Sequence, residues 1–133
     1  MEAEDRLVEA AIAALDKSYA PYSNFPVAAA LLDEAGRIHV GVNVENAAYP
    51  VGCCAEQSAI SAMILAGSRQ IAAIAVAGKG AGLTTPCGGC RQRIREFASP
   101  QTAILVCGPE GVRARFQLAD LLPHSFGPEN LSE

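Results

Sequence analysis

Two cysteine motifs about thirty residues apart, Cys54-Ala55-Glu56 and Pro86-Cys87-Gly88-Gly89-Cys90, set the strongest constraint on how this chain can fold. Any fold that uses both must bring two distant segments to one point. Three cysteine ligands leave one tetrahedral position of a zinc ion free for water, whereas a structural site is closed by four Cys or His. Glu56 stands two residues past a candidate ligand, too close to be the fourth and well placed to act on a water. A lone C-x-x-C is a weak pattern. The upstream C-x-E and the Pro86 directly before Cys87 make it specific. Two plainer readings stay open at this point. Cys53 or His39 could close a structural site, and Glu56 could simply complement the dipole of a first helical turn.

The 133 residues are half apolar and 18% charged. That fits one domain, residues 1–133, with a proper core, and argues against disorder. The net charge is −4 without a run of Lys or Arg, so the basic stripe that a nucleic-acid partner needs is missing. Residues 1–20 open on Glu2, Glu4 and Asp5, unlike a secretory leader, and no segment approaches the length of a membrane span. The expected location is the reducing cytoplasm, where cysteine clusters read as metal or catalytic sites. Cys53 and Cys107 read as small buried hydrophobes, and His39 and His124 as structural or solvent-facing residues.

Leu7, Val8, Ala11, Ile12, Ala14 and Leu15 recur at helical spacing, which predicts an amphipathic helix over Asp5–Ser18. Two prolines then make residues 19–26 an extended loop, and its three aromatics mark it as more than a connection. Val27–Leu32 and Ile38–Val44 read as a β-hairpin around Asp33-Glu34-Ala35-Gly36. Helices over Cys54–Leu65 and Gly88–Phe97 carry the two motifs. Ile71–Ala77 and Thr102–Cys107 read as buried strands, and Phe116–Ala119 as a short last one. This order suggests one mixed sheet covered by helices on both faces.

On such helices Cys54 and Cys87 fall at N-termini, where free N–H groups and the dipole favour thiolate. Zinc lowers the pKa of a bound water toward about 7. Glu56 can then take the water proton and return it, first to a substrate nitrogen and then to a leaving amine. Arg91, next to Cys90, is a candidate for neutralising the thiolates, and it reads equally well as a solvated helix residue.

Several segments in register resemble the small, three-cysteine cytidine deaminases: Tyr22-Ser23-Asn24-Phe25-Pro26-Val27, Asn43-Val44-Glu45-Asn46-Ala47, both cysteine motifs through Gln92, and Leu122-Pro123-His124-Ser125-Phe126-Gly127-Pro128. The resemblance implies a three-layer α/β/α sandwich with a mixed five-stranded sheet, assembled as a homotetramer. It implies one zinc per chain on Cys54, Cys87 and Cys90, with Glu56 as the catalytic acid–base. It places Phe25 on the pyrimidine, Asn43 and Glu45 on the ribose, the Ala55 backbone on the base, and Tyr49 and Phe126 at pockets near subunit contacts; from the residues alone, Phe25 and Phe126 read equally well as core, and Asn43 and Glu45 as turn residues. The implied activity is hydrolytic deamination of cytidine and deoxycytidine in pyrimidine salvage, with a small nucleoside as partner and neither nucleic acid nor membrane. Two positions depart from the pattern. Gln57 follows the catalytic Glu where three-cysteine members commonly have Arg, and Ala28 stands where Gly is usual.

Overall fold

The computed structural model describes residues 2–132. Its elements in chain order are α1 (Glu2–Ala14), β1 (Val27–Asp33), β2 (Ile38–Val42), α2 (Ala55–Leu65), β3 (Ile71–Gly78), α3 (Gly88–Phe97), β4 (Ala103–Gly108), β5 (Gly111–Gln117) and α4 (Leu118–Leu121). Short 3₁₀ turns cover Leu15–Lys17, Tyr49–Val51 and Pro128–Leu131. The strands form one sheet in the order β2-β1-β3-β4-β5. β3 and β4 are parallel, and the other neighbours are antiparallel. The mixed five-stranded sheet of the expectation is therefore present.

The apolar runs of β1, β3 and β4 are continuous because both faces of the sheet are covered. Side-chain alternation then sorts residues by size. Leu31, Ile74, Val76, Ile104 and Val106 face the layer that contains α2 and α3. Ala28, Ala30, Ala73, Ala75 and Ala77 face α1, which lays Leu7 and Ala11 onto this pavement of methyl groups. Ala28 is fully buried there, so its extra methyl belongs to the surface that α1 covers.

Three boundaries differ from the sequence reading. α1 begins earlier, with Glu2, Glu4 and Asp5 in its first turn, and it tightens into 3₁₀ geometry at Leu15 instead of running on to Ser18. β2 stops at Val42, and Val44 makes only isolated bridges, to Tyr19 and Cys53. The last strand is Gly111–Gln117, and Leu118–Leu121 is helix. β5 is an edge strand carrying Arg113 and Arg115; Arg113 is half-buried against the Gly80 and Gly82 carbonyls, while the exposed Arg115 is a charge that discourages edge-to-edge pairing, and both blur the strand pattern.

Two local devices hold the layer that bears the site. Gly41 of β2 is buried against α2, and a Cβ there would lie 2.6 Å from the Ala55 carbonyl oxygen and 2.7 Å from Ser58 Cβ. Only glycine allows helix and strand to approach so closely. At the end of β1, the buried Asp33 carboxylate accepts from the Ala35 N–H (2.8 Å), the Arg37 N–H (2.9 Å) and the Ser68 hydroxyl (2.7 Å), and it shares a 2.8 Å hydrogen bond with His39 Nε2. Burial alone pushes the Asp33 pKa up. The bonds from His39, Ser68, Arg37 and Ala35 outweigh that and hold it well below the usual carboxylate range. The hairpin and the turn after α2 are thereby joined at one carboxylate, and His39 has the structural role read for it.

Candidate active site

α2 and α3 begin side by side. Cys54 is the N-cap of α2 and Cys87 the N-cap of α3, both in extended backbone, and Cys90 lies in the first turn of α3. The buried Pro86 fixes the entry to α3 and has no N–H to satisfy. The sulfurs of Cys54, Cys87 and Cys90 lie within 4.8 Å of one another, and Cys54 Sγ is 3.9 Å from Cys87 Sγ. Two thiolates on a tetrahedral zinc, with bonds of about 2.3 Å, stand about 3.8 Å apart. The donor set thus fits a zinc ion in number, chemistry and spacing. Among the described residues the group has only these three members. His39 is committed to Asp33 and Cys53 lies outside the group, so neither closes a four-ligand structural site.

Electrostatics differ among the three thiols. Burial pushes Cys54 and Cys90 above the ordinary thiol range, and neighbouring negative groups add to this at both. Burial acts upward on Cys87 as well, but the Cys90 backbone N–H and the two adjacent thiols outweigh it and leave Cys87 lowered. The helix termini were expected to favour thiolate at both N-caps; at Cys54 desolvation wins. A metal ion must therefore displace thiol protons, which makes its binding pH-dependent.

Glu56 is 4% exposed in the first turn of α2. Burial raises its pKa, opposed by its own backbone N–H, the Cys90 thiol and the charge of Arg93. A carboxyl raised in this way can hold and release a proton closer to neutral pH than a solvated glutamate can. Arg91 does not face the sulfurs. It donates to Pro86 O (2.7 Å), Leu121 O (2.8 Å) and Thr85 Oγ1 (3.2 Å). Arg93, which the sequence reading passed over, donates from Nη1 to Cys90 Sγ at 3.6 Å. The missed signal was helical phase: residue i+3 shares a face with residue i, and residue i+1 does not.

A cavity of about 460 Å³ opens on the Cys54 side of the cluster, lined by Asn43, Glu45, Tyr49 and Cys54 among others. Tyr22, Ser23, Val44, Asn46 and Cys53 complete much of its wall. Cys53, read as a buried hydrophobe, is exposed there, whereas Cys107 is buried as expected and its thiol is pushed up to about 11 by burial. Asn43 and Glu45 also hold the chain around residues 18–27. Asn43 Oδ1 accepts from the Val27 N–H (3.0 Å) and the Ser18 hydroxyl, and Nδ2 donates to Phe25 O (3.0 Å). Glu45 Oε1 accepts from the N–H groups of Tyr22 (2.9 Å) and Ser23 (3.1 Å), and Oε2 from the Ser23 hydroxyl. Phe25 and Phe126 do not line this cavity; Phe25 lies by Gly80, and the Phe126 carbonyl accepts from Gln92 Nε2 at 2.8 Å. Tyr49 is 74% exposed and meets Tyr22 edge-on, with ring centroids 5.9 Å apart.

Comparison with known proteins agrees with this geometry. The family profile described as the cytidine and deoxycytidylate deaminase zinc-binding region matches residues 1–106. A cytidine deaminase of Sporosarcina psychrophila is 39% identical over 128 residues, covering 96% of this chain and 94% of that protein. Among solved structures, cytidine deaminase from Burkholderia pseudomallei superposes with a TM-score of 0.86 at 44% identity, over 92% of this chain and 98% of that one. The enzyme from Mycobacterium leprae does so with a TM-score of 0.78 at 41% identity, over 91% and 98%.

Proposed function

We propose, on the premise that this chain belongs to the family of cytidine and deoxycytidylate deaminases with a shared zinc-binding region, that it hydrolyses cytidine and deoxycytidine to uridine and deoxyuridine with release of ammonia. The observation that carries the reading is the meeting of three cysteine sulfurs with the buried Glu56 carboxyl, beside a cavity of about 460 Å³ that Cys54 borders. Bound zinc supplies the Lewis acidity that makes water a nucleophile near neutral pH. Glu56 takes one proton from the water that adds to C4 and gives it to ring N3; it then takes the remaining proton from the C4 hydroxyl and passes it to the amine, so that the C4–N bond breaks, the C4 carbonyl forms and ammonia leaves. Ala55, the first residue of α2, offers a backbone N–H that no helical carbonyl takes, suited to an oxygen of the base. Phe25, which stands outside that cavity beside Gly80, is the flat apolar face proposed for the ring.

Hydrogen-bond capacity supports a sugar hydroxyl as the group bound by Asn43 and Glu45. After their loop contacts, Asn43 keeps one amide hydrogen and Glu45 keeps free lone pairs. A single hydroxyl satisfies both, accepting from the amide and donating to the carboxylate, so deoxycytidine needs no second one. Among the described residues the cavity wall carries no Lys, Arg or His, and Glu45 is negative there. A 5′-phosphate would meet a carboxylate without a compensating cation, which favours nucleoside over nucleotide.

The rest of the reading follows from this enzyme class. Residues 1–133 form one deaminase domain serving pyrimidine salvage in the cytoplasm, in keeping with five free cysteines. A homotetramer would cover exposed aromatics such as Tyr49 and Phe126, which are costly to leave in water. The test is to incubate zinc-loaded protein with cytidine, deoxycytidine, cytosine and deoxycytidine 5′-phosphate, following product and ammonia. The two nucleosides should turn over. Cytosine should suffer in kcat as well as KM, because sugar binding energy supports the transition state. Equal turnover of the free base or the nucleotide would sink the nucleoside assignment.

A further inference from the structure

Three thiolates and one divalent metal ion sum to a single negative charge, and an ionised Glu56 adds another. α3 carries three arginines, Arg91, Arg93 and Arg95, with separate tasks. Arg91 is used on two backbone carbonyls and a hydroxyl. Arg95 is used on the Ser125 hydroxyl (2.8 Å) and the Glu129 carboxylate. Arg93 turns toward the cluster, with Nη1 3.6 Å from Cys90 Sγ. Gly89 makes room for it, since a Cβ at that position would lie 3.1 Å from the same nitrogen. On α2, the residue after Glu56 is the neutral Gln57, half-buried, for which no side-chain hydrogen bond is found among the described residues.

We infer that Arg93 is the positioning residue that sets how strongly the cysteine sulfurs donate to the metal, so that the cation serving this centre comes from α3 and not from the residue after Glu56. A guanidinium that donates to a thiolate withdraws charge from it. The metal held there is then a stronger Lewis acid, and the thiolate is favoured over the thiol. The inference rests on the zinc-deaminase reading for the identity of the metal, so its test does not depend on turnover.

The experiment replaces zinc by cobalt(II) in the wild-type, Arg93→Gln and Arg93→Lys proteins and records the sulfur-to-cobalt charge-transfer band without nucleoside. Zinc affinity is measured alongside by competition with a chromophoric chelator, and kcat and KM are measured with cytidine. Arg93→Gln should move the band to lower energy and weaken zinc binding by about 10–100-fold. It should lower kcat with little change in KM, because the missing interaction acts on the transition state. Arg93→Lys should recover part of each change. Gln57→Arg placed in the Arg93→Gln background should move the band back. An unmoved band and unchanged zinc affinity in Arg93→Gln overturn the inference. A loss of turnover with an unmoved band also overturns it, and assigns Arg93 to substrate or subunit contacts. A shifted band in a protein that never deaminates cytidine leaves the role of Arg93 standing and removes the nucleoside reading instead.

Discussion

Replacing Gly41 by alanine tests whether the close approach of β2 and α2 positions the catalytic turn. Local preference alone predicts a gain, because alanine limits the unfolded chain and suits a strand better than glycine. The structure predicts the reverse. The new methyl would sit 2.6 Å from the Ala55 carbonyl oxygen and 2.7 Å from Ser58 Cβ, with the Ala59 nitrogen also in its way. These are the backbone and first carbon of a helix, not the free end of a flexible side chain. Reaching ordinary contact at 3.4 Å requires the Ala55 carbonyl to retreat by about 0.8 Å. Overpacking of this kind costs about 1–3 kcal/mol, a fall in Tm of about 3–12 °C for a chain of this size. The same displacement carries Glu56, the next residue, away from its working position. Misplacement on the order of 1 Å can cost 10²-fold in rate, so kcat/KM for cytidine should fall by about 10–100-fold. Thermal melts and initial rates on zinc-loaded protein measure both, with Gly82→Ala as control, because a methyl there meets nothing within 4 Å. A Gly41→Ala protein that melts at or above the wild-type temperature and keeps its kcat/KM would refute the reasoning.

Glu56→Gln should retain zinc and fold but lose about 10²–10⁴ in kcat/KM, or about 3–5 kcal/mol of transition-state stabilisation; a near-normal rate would show that another group moves the protons. Cys90→Ala should lose both metal and activity, whereas Cys107→Ala, buried beneath α1, should keep both; full zinc content in Cys90→Ala would remove it from the ligand set. Asp33→Asn should lower Tm at neutral pH. Because the Asp33 pKa is depressed in the folded protein, its contribution is complete above the unfolded value of about 4 and is lost as pH falls through the folded one. The Tm gap between wild type and Asp33→Asn should therefore stay constant above about pH 5 and narrow below about pH 4, and a gap independent of pH would disprove the account.

The parts of this molecule that were readable from sequence are those written locally. Cys54 and Cys87 occupy the N-caps, as the motif spacing suggested, because a cap is decided within one turn of helix. The order of strands and helices followed from apolar runs for the same reason. β5 was mostly missed because its identity comes from pairing with β4, while Arg113 and Arg115 hide the alternation. Cys53 was read as core from its residue type, but its exposure depends on a loop that bridges Val44. The choice between Arg91 and Arg93 needed the rotation of α3 relative to α2, which no single segment records. The double use of Asn43 and Glu45, on loop and cavity together, likewise depended on residues 18–27 folding back over them.

The shared position of the two N-caps has a further consequence in polymer terms. Cys54 and Cys87 are 33 residues apart along the chain, and an ion gripped by both closes that stretch into a ring. Cross-linking a loop of this length removes about 4 kcal/mol of freedom from the unfolded chain by the estimate used for disulfides. The ion that serves chemistry is thus also a rivet between the starts of two helices. Stripping it should loosen α2 from α3 before the strands part, and a chelator should lower the melting temperature even of a variant that cannot catalyse anything.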